Sequence, residues 1–280
     1  MAEKDAKTLW RELIKPVVPG SKKLYDLYFM YTFLGVRRGE MLLEVLERLL
    51  PVEGKFFLDV GCGAGGLAIA FTKRSSATVA FDVDPRYLKV ATAWGREEGV
   101  ELNLLVASGE SMPFKNGAFD FVACSDVIEH LNNPSKMVGE VARVLRKGGI
   151  VYLTCPNRIS PRIILKDNHY LLPFFTLLPR RIAEAYVKST KRGETNEVFF
   201  LPLYPKLVKA FESVGIRLYS WNLDEKIRSL RRLIPNSRIG RVVMRAATFI
   251  LKHFYVKWLC PVWIFLGKKT GEPTSKRAEN

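Results

Sequence analysis

The stretch Asp59-Val60-Gly61-Cys62-Gly63-Ala64-Gly65-Gly66 places one carboxylate in front of four glycines. Glycines at this density let the backbone turn sharply and let a ligand come within van der Waals distance of it. A helix opening behind them would face the same ligand with its first N–H groups. Gly61, Gly63 and Gly66 also satisfy the dinucleotide pattern G-x-G-x-x-G, so the loop alone leaves the ligand open. Asp82 stands 21 residues beyond Gly61, just before Val83. A carboxylate there can accept hydrogen bonds from both hydroxyls of a ribose. Asp84, with Pro85 behind it, reads as a helix N-cap. The loop and Asp82 together describe an adenosine site.

A second set of groups could move a proton. His130 follows Glu129 shortly after Ser125 and Asp126, and His169 lies in Lys166-Asp167-Asn168-His169-Tyr170. Either is a candidate general base for an acceptor that must lose a proton, with a packing or surface role as the alternative for each. His253 sits in a basic C-terminal region and is assigned no chemistry. The cysteines Cys62, Cys124, Cys155 and Cys260 are far apart and form no C-x-x-C pair. Neither a disulfide framework nor a metal site is expected, and the setting reads as reduced and intracellular.

These residues need elements to position them. Apolar runs at 56–60, 77–81, 102–106, 119–124 and 150–155 read as buried strands, the last after a Gly148-Gly149 turn. Helical patterns at 40–50, 67–73, 85–98 and 134–145 fall among them. Alternation at this spacing implies right-handed βαβ units and an open, doubly wound α/β sheet. In that frame Asp59, Asp82, Ser125 and Asp126 all fall at or near strand ends. Farther on, 206–214 reads as a helix, 216–221 as a strand and 261–267 as a last strand.

The net charge of +16 is unevenly placed. Residues 51–157 hold eleven basic and twelve acidic side chains, whereas 222–280 carry +9. Such a field favours an anionic partner: a membrane surface, a nucleic acid or an acidic substrate. Projected at 100° per residue, Arg238, Arg241, Arg245 and Lys252 lie within about 60° of one another, opposite Val243, Ala246, Ile250 and Phe254. This is a basic amphipathic helix, read either as an interfacial membrane element or as a surface helix packed on the domain. The N-terminal residues lack an apolar signal region, and no run of 18 apolar residues offers a spanning helix.

Four blocks carry a family likeness: LDVGCGAG at 58–65, AFDVDPRYLKVA at 80–91, ASGESMPFKNGAFDFVACSDVIEHLNNP at 107–134 and VARVLRKGGIVYLTCPN at 141–157. In order and spacing the sequence resembles class I S-adenosylmethionine (SAM)-dependent methyltransferases, in the group that includes ubiquinone and menaquinone biosynthesis enzymes. The resemblance implies a Rossmann-like, mostly parallel seven-stranded sheet with an antiparallel last strand and helical additions. It implies SAM as cofactor, with Asp59 at the methionine end, Asp82 at the ribose, and Gly61, Cys62, Gly63 and Val83 also among the cofactor-binding residues. Ser108, Gly109 and Glu110 would meet adenine, although many members carry Asp where this chain has Ser108. Ser125 and Asp126 would line the pocket near the sulfonium, and His130 belongs to a Glu-His pair that the quinone-type relatives share. Electrostatics agree, since a carboxylate at Asp59 opposes a pyrophosphate but suits a ligand with an ammonium and a sulfonium.

The expected division is an N-terminal helical cap (1–39), a cofactor-binding core (40–157), and a lid or substrate insertion (158–200). The end of the sheet (201–268) follows, with a basic insert at 224–258, and then a frayed tail (269–280). The insertion is rich in Leu, Phe and Pro, which suits a small-molecule or lipid-like acceptor such as a quinone, an isoprenoid or a lipid-linked sugar. The protein is expected to be cytoplasmic, or peripheral on the inner face of a membrane. Competing readings are an RNA methyltransferase, an NAD-dependent oxidoreductase and a SAM-binding protein without turnover.

Overall fold

The computed structural model describes residues 4–15, 21–74, 77–193, 197–198, 202–234 and 237–271. Three helices open the chain: α1 (Ala6–Ile14), α2 (Lys22–Phe33) and α3 (Gly35–Glu47). The core alternates β1 (Phe56–Val60), α4 (Gly66–Lys73), β2 (Ala77–Asp82), α5 (Pro85–Glu97), β3 (Asn103–Val106), β4 (Phe119–Ser125), α6 (Pro134–Val144) and β5 (Leu145–Pro156). Then come α7 (Pro161–Leu165), α8 (Arg180–Ser189), α9 (Tyr204–Ser213), β6 (Ile216–Ser220), α10 (Trp221–Leu233), α11 (Arg238–Ile250), a π-helical stretch (Leu251–Leu259) and β7 (Val262–Lys269).

The seven strands lie in the order β3-β2-β1-β4-β5-β7-β6. β1 pairs in parallel with β2 and β4, while β7 runs antiparallel to β5 and β6. The chain direction across the sheet reverses between β1 and β4, and at such a switch point the carboxyl ends of the strands open a crevice for ligands. Both faces of the sheet are covered. Phe57, Phe121 and Ala123 pack against Leu43 and Leu46 of α3 and Phe71 of α4. Leu58, Val60, Val122 and Cys124 turn the other way, into a core with α6 and α9. Burial on both faces is why these strands read as continuous apolar runs instead of alternating ones.

α3 reaches the sheet only because α4 lets it come close. A Cβ on Gly66 would lie 2.6 Å from backbone atoms of Gly35, so the two helices meet with main chain almost touching. The helix therefore begins at Gly35, five residues before the sequence pattern places it. β5 likewise starts at Leu145 and runs through Gly148 and Gly149, which the sequence suggests as a turn; Gly148 has φ +80° inside the strand. The tail expected to fray from 269 overlaps the last strand by one residue. Lys269 still belongs to β7, and its ammonium donates to the carbonyls of Ala142 and Leu145 at 2.6 Å each. Residues 272–280 lie outside the described residues, as do 194–196 and 199–200 of the expected lid. Among the described residues, no helix is long and apolar enough to cross a membrane.

Candidate functional site

Asp59 sits near the end of β1, where its side chain is buried beneath the glycine loop. Burial pushes its carboxyl up to about 7, against a hydrogen bond from the Ala68 N–H and the attraction of Arg38. Asp82 closes β2. Its Oδ2 accepts from the Gly63 N–H at 2.9 Å and its Oδ1 from the Asp84 N–H at 3.0 Å. Those bonds fix the carboxylate and leave further lone pairs free to accept from a ligand. Burial raises the Asp82 carboxyl while the two N–H groups hold it down. Gly63 itself has φ +51°, and a Cβ there would meet nothing within 4 Å, so the space over the loop is open. A recessed carboxylate suits an ammonium, an anchored one suits paired hydroxyls, and the open loop admits the ligand between them.

The neighbouring residues are placed less uniformly. The side chain of Cys62 lies on the loop between Asp59 and Asp82, where burial raises its thiol. Val83 is largely exposed beside Asp82. The Ser108 hydroxyl accepts from the Glu110 N–H at 3.1 Å, shaping the turn that Gly109 occupies. The Glu110 carboxylate is directed to the Asn133 N–H, at 2.9 Å, at the start of α6. Asp84 caps α5 as expected, accepting from the Arg86 N–H at 2.8 Å.

Beyond the end of β4 the chain enters a network that the sequence does not announce. Asp126 adopts φ +57°, unusual for a residue with a Cβ. Thr154 of β5 holds it there: its hydroxyl accepts from the Asp126 N–H at 2.9 Å and donates to Oδ1 at 2.8 Å. The other carboxylate oxygen accepts from the Tyr31 hydroxyl and from Arg38. Arg38 also donates to the Ser125 hydroxyl, and its guanidinium lies 4.3 Å from the Tyr31 ring centroid. Helices α2 and α3 thus deliver a phenol and a cation to Asp126. Residue spacing carries no sign of either, because both partners are brought by the fold from about ninety positions away.

The two candidate histidines converge. Their rings stand 5.2 Å apart, edge to face. His130 Nδ1 faces the Glu197 carbonyl at 2.9 Å; a carbonyl only accepts, so Nδ1 carries a proton, and in the neutral ring the lone pair is on Nε2. His169 Nε2 lies 3.8 Å from Oε1 of Glu129. Burial, reinforced by His130, pushes His169 down to about 3, which keeps it neutral. Glu129 is 0% exposed and neither carboxyl oxygen has a hydrogen-bond partner. Burial and the nearby Asp126 push its carboxyl well up. Ligand atoms of Glu129, His130 and His169 all lie within 4.8 Å of one another, a donor set that could also hold a metal ion. The sequence reading names no metal ligands because these three come from two segments about forty residues apart.

His169 owes its position to Asp167, whose buried carboxylate accepts from the N–H groups of His169, Tyr170 and Leu172 at 2.8, 2.8 and 2.6 Å. From the other side, the Tyr28 hydroxyl of α2 donates to the His169 carbonyl at 2.7 Å. His253 is remote from this cluster and stacks on Phe249, with its ring 4.3 Å away.

Residues 58–153 match the methyltransferase domain family. The core of this chain thus carries a methyltransferase domain match. The chain is 32% identical over 124 residues to a ubiquinone biosynthesis O-methyltransferase of Xylella fastidiosa, covering 44% of this chain and 50% of that protein. It is 29% identical over 193 residues to the Chromobacterium violaceum protein of the same description, covering 67% of this chain and 82% of the relative. The chain therefore spans about half the length of the first of these relatives. The fold matches that of a SAM-dependent methyltransferase from Methanosarcina mazei with TM-score 0.52 at 16% identity, covering 81% of this chain and 98% of the other. The matched segment of the methyltransferase domain begins within β1 and ends within β5, so Asp59, Asp82, Ser125, Asp126 and His130 lie inside it. Tyr31, Arg38 and His169 come from outside the methyltransferase domain as matched.

Proposed function

We propose that this chain binds SAM between Asp59 and Asp82 and transfers its methyl group to a small, lipid-like acceptor such as a quinone, an isoprenoid or a lipid-linked sugar. The observation that carries this reading is the pair of carboxylates flanking an open glycine loop at the switch point, with His130, in the turn beyond β4, packed against His169. Asp59 would hold the ammonium, Asp82 and Val83 the ribose side, Gly61, Cys62 and Gly63 the chain between them. Ser108, Gly109 and the Glu110 backbone would border the adenine, while Ser125 and Asp126 face the reacting end. When bound, SAM supplies a methyl group already activated by its sulfonium.

The protein's share of the work is then alignment and proton removal. Holding the acceptor in line is worth up to about 7–11 kcal/mol in well-oriented systems. His130 would take the acceptor's proton through Nε2, since Nδ1 is committed to the Glu197 carbonyl. An imidazolium formed at His130 favours ionisation of Glu129, whose ligand atom lies within 4.8 Å of those of His130 and His169. Tyr31 and Arg38 hold Asp126 so that its carboxylate does not compete for that proton. The segment from 158 onward, with α2 behind it, would act as the lid, and 1–39 as its support.

A lipid-like acceptor places the protein in the cytoplasm at the inner face of a membrane, reached through the basic C-terminal region. The test is titration calorimetry with SAM, followed by tritium-methyl transfer into separate lipid, small-molecule and RNA extracts. Binding with label in the lipid or small-molecule extract is the expected result. Label in RNA overturns the acceptor assignment, binding without label anywhere leaves a SAM-binding protein without turnover, and no binding removes the reading altogether.

A further inference from the structure

The apolar side of α11 faces away from the protein. Ile239, Val242, Phe249 and Ile250 are 77%, 66%, 64% and 57% exposed. At 100° per residue Ile239, Val242, Val243, Ala246 and Ile250 share one sector about 100° wide, with Arg238, Arg241 and Arg245 along its border. Gly240, the buried residue of the helix, lies outside that sector. A surface helix ordinarily turns its apolar stripe to the core; this one does the reverse. Exposed Phe254 and Trp258 extend the apolar character into the π-helical stretch. Next to it, between α10 and α11, lies a cleft lined by Arg231, Arg245, Lys252 and His253 together with Met244 and Phe249. From 221 to 261 the chain carries nine basic side chains against two acidic ones.

We propose that this face docks on an anionic phospholipid bilayer, its apolar residues entering the acyl boundary and the cationic cleft receiving a headgroup phosphate. Apolar exposure beside clustered cations is the combination that gives an interfacial helix its affinity, through buried area and attraction to anionic lipid together. A nucleic acid would use the cations and leave the apolar sector in water.

Topology puts this face where a membrane-borne acceptor could use it. β6 leaves the sheet at its carboxyl edge and β7, antiparallel, re-enters from that edge. Both ends of the excursion between them therefore lie on the edge that holds Asp82, Ser125 and Asp126. The excursion is pinned there: the Asn157 amide, fully buried, donates to the carbonyls of Lys257 and Cys260 at 3.1 and 2.9 Å, and the Ser160 hydroxyl to that of Leu259 at 3.0 Å. The docking surface and the candidate site share one rigid support. The inference rests on the methyl-transfer reading only for what the bilayer would deliver; docking itself requires no turnover.

The test is flotation of the full chain with vesicles of phosphatidylcholine, with and without phosphatidylglycerol. Expected is partition onto the anionic vesicles, lowered more than about tenfold by Val242→Asp with Ile250→Asp, and likewise by Arg241→Glu with Arg245→Glu. Both variants should keep the thermal melt and the SAM affinity of the parent. Wild-type protein that stays unbound overturns the proposal. So does binding that depends on the arginines but ignores the apolar pair, or a dimer abolished by the apolar pair without vesicle binding. Vesicle binding by a protein that fails to bind SAM would leave docking standing and remove the functional reading instead.

Discussion

Asp59 is the buried carboxylate on which the proposed ammonium contact rests. Burial lifts its carboxyl from 3.8 to about 7, so the folded chain holds this proton more tightly than the unfolded one does. Stability from this group is therefore fully present below about pH 4 and declines as pH rises through 7. A cationic ligand reverses the preference by favouring the ionised form. SAM affinity should accordingly rise between pH 6 and 8, with proton release visible as a dependence of binding heat on buffer ionisation enthalpy. Asp59→Asn should flatten that dependence. Asp82→Ala should cost SAM binding on the order of 2–4 kcal/mol, read by calorimetry, because a charged acceptor of two hydrogen bonds is lost. His130→Ala should lower kcat by about 10²–10⁴ with little change in SAM affinity, provided the acceptor must lose a proton. Asp59, Asp82 and His130 stood out in the sequence as candidates because each stands in a local pattern: before a glycine loop, after an apolar run, beside a glutamate. Tyr31, Arg38 and Thr154 were not, since what qualifies them is a meeting across the fold that no spacing encodes.

Among the elements, the glycines of α3 and α4 decide how close the N-terminal helices come to the site. A Cβ at Gly39 would lie 2.5 Å from that of Ala70, and one at Gly66 would collide with the Gly35 backbone. Gly66→Ala should lower the unfolding free energy by about 1–3 kcal/mol in a urea melt, the cost of forcing volume into a packed contact. It should also loosen the bond from Arg38 to Ser125, as that arginine rides on α3. The same glycines hid the start of this helix from the sequence, because glycine is a poor helix former and its value here is proximity. The strands of the core were readable almost to the residue, because burial on both faces leaves unbroken apolar runs. β5 was clipped for the opposite reason, as Gly148 and Gly149 look like a turn yet sit within the strand.

For the whole molecule, charge and chemistry are kept apart. The cofactor-binding core is nearly neutral, and the positive excess is concentrated in the last 59 residues. Raising ionic strength from about 0.05 to about 0.5 M should release the protein from anionic vesicles, since the Debye length shrinks severalfold. SAM affinity should hold nearly constant over the same range, because its carboxylates are recessed from bulk salt. The sequence located the charge but could not orient it; whether the apolar stripe of α11 faces inward or outward depends on what the rest of the chain offers as a partner.

β6 and β7 are antiparallel neighbours, and an ordinary tight turn could join them. Instead the chain leaves at Ser220 and returns at Val262 after 41 residues. Because loop closure grows only logarithmically with length, this detour costs about 2 kcal/mol more than a four-residue turn. Nothing in the pairing of the sheet depends on what the detour contains. The fold thus has a socket at this corner, into which a different attachment could be fitted with the catalytic edge left in register, so that where such an enzyme works can change without altering how it works.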